Sequence, residues 1–129
     1  MPVQLGPVTG TITDFSPVAS DEIDNVYTVK NADINATASG DTTIVAAVGG
    51  KKIRVISCGI FPVSAAVNIS WKSGASTTKI QPGTYVINEG FMLSDLSPGW
   101  FVETDAGEAL VINLSATANV RGFVNYIEV

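Results

Sequence analysis

The chain contains no histidine and one cysteine, and only 15% of its residues are charged. Each scarcity excludes some chemistry. Without histidine there is no His-based catalytic triad, no His–carboxylate dyad and no ordinary zinc site. The single cysteine, Cys58, allows no intrachain disulfide. Lying in an apolar stretch without a histidine partner, it reads as a small core residue and not as a nucleophile. Basic residues are also few: seven Lys and Arg against twelve Asp and Glu leave a net charge of −5. No basic stripe exists to displace counterions from a polyanion, so nucleic-acid binding is not expected. No apolar run approaches the roughly 18 residues of a membrane-spanning helix. The opening "MPVQLGPVTG" lacks the basic-then-apolar pattern of a signal peptide. A protein made in the cytoplasm and independent of membranes is the expectation.

What fills the space left by charge is Ser, Thr, Asn, Ala and Gly, beside 46% apolar residues. A chain of 129 residues supports one core. The first 40 residues differ from the rest. They hold Asp14, Asp21, Glu22, Asp24 and Asp33 against Lys30 alone, together with Pro2, Pro7 and Pro17. Proline removes backbone donors and interrupts ladders. Apolar residues recur there nonetheless, Phe15, Ile23, Val26, Tyr27, Val29 and Ile34, too many for a purely solvated tail. Residues 1–31 are therefore expected to form an extended arm with one or two short strands. Residues 32–129 are expected to form the domain.

In that domain turn residues recur at the spacing of a sandwich or barrel. Strands are expected over Ala32–Ala38, Thr42–Val48, Lys51–Phe61, Ala66–Lys72, Thr77–Ile80, Thr84–Ile87, Phe91–Leu93, Trp100–Thr104, Ala109–Ser115 and Asn119–Glu128. Several alternate with period 2: Val67, Ile69 and Trp71 share a face, as do Leu110, Ile112 and Leu114, and Val120, Val124 and Tyr126. No segment combines a 3.6-residue apolar period with a cap and a glycine stop. The fold class expected is all-β, an antiparallel β-sandwich of jelly-roll type behind an extended N-terminal arm.

One segment, "TIVAAVGGKKIRVISCGIF" (Thr43–Phe61), invites a nucleotide reading. A phosphate loop needs G-x-x-x-x-G-K-[ST] opening a helix. Here the first glycine falls at Val45 and the hydroxyl at Lys52, and Ile53 onward alternates as a strand. Gly49-Gly50 instead predicts a two-residue hairpin turn. Further on, Ile53 and Val55 share one face, while Ile56, Cys58 and Ile60 take the other. This change of phase near Val55–Ile56 means either a bulge or a strand covered on both faces, the latter suiting a subunit interface.

Other constellations are weaker. Glu103, Asp105 and Glu108 lie close in "ETDAGEA", where acids for glycoside cleavage or calcium are weighed against a solvated turn, and the turn is preferred. Trp71, Tyr85, Phe91 and Trp100 offer material for a sugar-stacking platform, but Trp71 is in phase with the core; Trp100 is the one expected at a sandwich end or subunit contact. Lys51, Lys52 and Arg54 form the one basic cluster, either a solvated strand start or a partner for an acidic arm. An enzyme, a metal site and a cofactor are not expected.

Three segments together resemble a β-sandwich domain recurrent among structural proteins of tailed bacteriophages. They are the hairpin-like "IVAAVGGKKIRV" (Ile44–Val55), "VNISWKSG" (Val67–Gly74) and "GWFVETDAGEALVINLS" (Gly99–Ser115). The likeness spans most of the sandwich region and leaves the arm outside it. It implies a non-enzymatic virion protein, synthesised in the host cytoplasm and resident on the outer capsid surface. It further implies a decoration (cement) protein, a homotrimer whose partners are the major capsid protein and its own copies. On that reading the contact residues expected are Val3, Leu5, Val8, Ile12 and Phe15 of the arm, with Lys52, Arg54, Ile56 and Trp100 of the sandwich. The alternative is a receptor- or glycan-binding module of a head or tail fibre.

Overall fold

Strands with one apolar face must bury it, and two sheets facing each other meet that need. The structure, a computed structural model, describes Val18–Ser20 and residues 26–129. In chain order its strands are β1 (Val18–Ser20), β2 (Val26–Thr28), β3 (Lys30–Ala36), β4 (Gly40–Val45), β5 (Ile53–Ile60), β6 (Val67–Ser73), β7 (Thr77–Tyr85), β8 (Phe91–Leu93), β9 (Val102–Glu103), β10 (Leu110–Leu114) and β11 (Val120–Glu128). There is no helix among the described residues.

The pairing is nested. Antiparallel β6·β7 lies innermost, followed outward by β5·β8, β4·β10 and β3·β11. The chain is thus one long ribbon whose tip is the β6–β7 turn. Rolling that ribbon adds β10·β6 and β11·β5, which close it into two sheets ordered β4-β10-β6-β7 and β3-β11-β5-β8, with β9 pairing β5. This is the jelly-roll order of a β-sandwich. The short hairpin β1·β2 precedes it, and the sandwich itself opens at Lys30.

The core fills the space between the sheets. Ile34, Ile53, Val55, Cys58, Ile60, Val120 and Val124 project from one sheet toward Val67, Ile69, Trp71, Leu110, Ile112 and Leu114 of the other. The period-2 sets read from β6, β10 and β11 all lie in this core. Truncating one of these large aliphatic side chains to Ala costs about 2–5 kcal/mol in a core of this kind. Burial pushes the Cys58 thiol up to about 12, so its reactive thiolate is scarce at neutral pH.

Two local expectations change. Gly49-Gly50 is a turn, with Gly50 at φ 71°, but it does not close a hairpin. Strands β4 and β5 lie in opposite sheets, so the turn sits in a crossover. The two strands expected over Thr77–Ile80 and Thr84–Ile87, with Pro82-Gly83 as the turn between them, are not separate: Thr77–Tyr85 is one continuous strand, β7, at the edge of its sheet. Its register against β6 slips between Ile69 and Trp71 and again between Trp71 and Lys72, placing extra residues on β7. An edge bulge is where a strand tolerates proline, because no ladder hydrogen bond is lost there.

The phase change in β5 is a bulge. Ser57 pairs Asn125 and Val55 pairs Tyr126, so Ile56 is the extra residue. The bulge keeps Val55 and Cys58 both facing the core and turns Ile56 to the outer face. There Ile56 and Ile127 are buried beneath Tyr27, Val29 and Val129. The strand is thus also covered on its second face at this point, and the cover comes from its own chain.

Beyond the bulge β5 and β11 approach closely. A Cβ on Gly122 would run into the backbone carbonyl of Gly59, whereas one on Gly59 would meet only the side chains of Met92 and Phe123. Backbone cannot yield, but a thioether can. Gly122→Ala is expected to lower stability by about 2–3 kcal/mol, in the range of overpacked cores. Gly59→Ala is expected to cost less than half of that. Urea denaturation of the two variants measures the difference; equal losses would contradict the backbone contact.

Candidate functional site

The outer face of the β3-β11-β5-β8 sheet collects the features that bear on function. Successive outward positions along β11 divide it into zones. At one end lies the small apolar cluster of Ile56 and Ile127 under Tyr27 and Val29. A polar row crosses three strands next to it. Asn31 Nδ2 donates to Asn125 Oδ1 at 2.9 Å, and Asn125 Nδ2 donates to Ser57 Oγ at 2.8 Å. Past that row the face turns apolar and open. Phe123 pairs Gly59, which in turn pairs Met92, so all three lie on one line across the sheet. The Phe61 ring lies 6.3 Å from that of Phe123. Phe61 is 49% exposed and Met92 65% exposed, large values for such side chains. Gly59 contributes by lacking a side chain, which lets Met92 and Phe123 close over the strand.

Strand β9 brings a charged group beside the covered end. Arg54 Nε donates to Glu103 Oε2 at 2.7 Å, and Lys52 Nζ lies 3.4 Å from Oε1 of the same carboxylate. Pairing of Arg54 with Glu103 across β5·β9 sets this geometry. The Arg54 guanidinium also stacks on Trp100, 3.9 Å from the ring centroid, an attraction between cation and ring face. Trp100 is 37% exposed. Lys52, Arg54 and Trp100, three residues singled out in the sequence, therefore form one cluster, and the carboxylate that joins Lys52 to Arg54 belongs to the same chain. Ile56 lies under the β2 segment. Val3, Leu5, Val8, Ile12 and Phe15 lie outside the described residues.

The acids of "ETDAGEA" go separate ways. Glu103 serves Arg54 and Lys52, Asp105 pairs Lys79 at 2.7 Å, and Glu108 lies against Gly74. The described residues contain no group of three or more acids and cysteines placed to hold a metal ion. On the opposite sheet, a hydrogen bond from Asn113 and then one from Lys72 hold the Asp41 carboxyl below its ordinary range.

The aromatic candidates also separate. Trp100 is on the outer face, whereas Trp71, Tyr85 and Phe91 turn inward to join Phe101. Trp71 and Phe101 meet edge to face at 5.2 Å, Phe91 lies 6.2 Å from Phe101, and Tyr85 stacks on Phe91 at 6.1 Å. Sequence reasoning missed Phe61, Met92 and Phe123. Alternation along β11 put Phe123 outward, but only the register of β11, β5 and β8 places it beside the other two.

No family model and no curated protein matches this chain.

The Arg54–Glu103 pair is half-buried and doubly bonded, so removing the carboxylate leaves a guanidinium without its partner. Glu103→Ala is expected to destabilise by about 1–3 kcal/mol. Lys52→Ala, which removes only a long exposed contact, is expected to cost under about 1 kcal/mol. Chemical denaturation at low salt compares them, and equal effects would place the binding energy elsewhere.

Proposed function

We propose that the protein is a structural virion protein that decorates and stabilises a tailed-bacteriophage capsid from its outer surface. In this reading it acts as a trimer, with N-terminal arms contacting neighbouring subunits and the major capsid protein. The mechanism is adhesion through many modest contacts. Each arm loses conformational entropy on docking, and apolar anchors offset that loss.

The observation that supports it best is the division of one sheet face. The segment leading out of the arm, Tyr27 and Val29, is seated over Ile56 and Ile127, while Phe61, Met92 and Phe123 form an open apolar area on the same face. Exposed apolar area of this kind on a small domain marks contact with another macromolecule. The resemblance of the Ile44–Val55, Val67–Gly74 and Gly99–Ser115 segments to phage β-sandwich proteins points the same way. The fibre-module reading asks for an open aromatic platform. Trp100 instead engages Arg54, and the other three candidate aromatics turn between the sheets.

Capsids lacking the protein, mixed with the purified chain and sedimented, test the proposal. The full chain is expected to bind saturably. Deleting residues 1–17, or combining Phe61→Ser with Met92→Ser, is expected to weaken binding about 10-fold or more, a loss of roughly 1.4 kcal/mol or greater. A folded full-length protein that fails to bind shells overturns the reading.

A further inference from the structure

A second surface feature lies between the sheets, on the side where β7 and β8 are the edge strands. Strand β8 has three residues and β7 has nine. The shorter edge leaves inner-face aromatics without a complete wall opposite them. The result is a pocket of about 280 Å³ lined by Ile69, Trp71, Ile80, Gln81, Gly83, Tyr85, Phe91, Leu93 and Phe101. For scale, an apolar cavity of about 150 Å³ holds benzene.

The lining has an unusual balance. Aromatic and aliphatic groups make its walls, no charged side chain lines it, and its side-chain hydrogen-bonding groups come from Trp71, Gln81 and Tyr85. None of these three side chains makes a hydrogen bond with a described residue. Trp71 is only 2% exposed, yet among the described residues no buried side-chain N or O atom lacks a partner, so an indole N–H without a protein acceptor is one that solvent reaches, and Trp71 lines the pocket. A buried donor left without a protein partner is costly unless solvent or a ligand accepts from it. Small-ligand sites combine the same features: an apolar concavity and a few convergent polar groups.

We propose that this pocket binds a neutral ring bearing one oxygen acceptor, the ring lying among Trp71, Phe91 and Phe101 and the oxygen accepting from Trp71 Nε1. A charged ligand has no counter-charge in the lining, and a sugar would leave most of its hydroxyls without partners. A free phenol and a tyrosine side chain of an extended polypeptide share the required chemistry. Gly83 gives access: a Cβ there would lie in ordinary contact with the Tyr85 ring, 3.5 Å away, on an exposed strand. Gly83→Leu therefore fills the mouth without disturbing the core.

The test titrates p-cresol, toluene and the capped peptide acetyl-Gly-Tyr-Gly-amide into the full chain, followed by the tryptophan indole N–H resonances. Saturable binding of p-cresol with a downfield shift of the Trp71 indole proton is expected, and toluene is expected to bind without that shift. Gly83→Leu, keeping the wild-type melting temperature within a few degrees, is expected to weaken p-cresol at least tenfold. A peptide that binds as tightly as p-cresol assigns the site to a polypeptide side chain, and p-cresol binding alone assigns it to a free small molecule. Absence of saturable binding by either, or unchanged binding in folded Gly83→Leu protein, overturns the proposal.

Discussion

Strands β5 and β11 run side by side through the middle of one sheet, so close at Gly122 that the carbonyl of Gly59 leaves no room for a Cβ. This ladder is the join that turns a flat ribbon into a sandwich. Without it the nested pairs β3·β11 and β5·β8 are parts of a long hairpin with one unprotected face. With it, the apolar rows of both sheets face each other and the core of Ile53, Val55, Cys58, Val120 and Val124 is enclosed. Non-local contact of this kind requires loop closure before any burial is gained, and the buried aliphatic area is what offsets it.

The bulge at Ile56 follows from the same ladder. A strand of strict period 2 cannot direct both Val55 and Cys58 inward. One extra residue restores the phase and leaves Ile56 outside, where an apolar side chain needs cover. Tyr27 and Val29 supply that cover, which ties the end of the N-terminal segment to the sandwich. Charge is handled as locally as apolar surface. Arg54 and Lys52 converge on Glu103 across β5·β9, and the ring of Trp100 takes the remaining face of the guanidinium. The sheet's outer face is thus settled at one end by its own chain and open at the other, where Phe61, Met92 and Phe123 meet.

Edges show a related division of labour. Strand β7 borders its sheet and presents backbone groups that another strand is able to pair. Its two register slips and Pro82 spoil that template. On the same side the brevity of β8 leaves the aromatic pocket open. The molecule resists strand addition on the same side where it offers side-chain-sized space between aromatic walls.

Much of the fold was legible in the residues themselves. Alternation in Val67–Trp71, Leu110–Leu114 and Val120–Tyr126 identifies inward faces, because strand geometry forces a period of two and burial sorts it. The lack of histidine and of a helical period belongs to the same level of information. The turn dipeptides were less informative: Gly49-Gly50 permits positive φ but does not say which strands flank it in space, and Pro82-Gly83 suits a bulge as well as a turn. Lys52, Arg54 and Trp100 stood out by residue type, yet Glu103, the shared partner of Lys52 and Arg54, lies about fifty positions from those two and is brought in only by β9. The sequence by itself determined strand faces and the excluded chemistries, since these depend on neighbours along the chain. Tertiary structure alone decided sheet order, the cover over Ile56, the open Phe61–Met92–Phe123 surface and the aromatic pocket, because each arises from residues made adjacent by strand pairing and not by sequence.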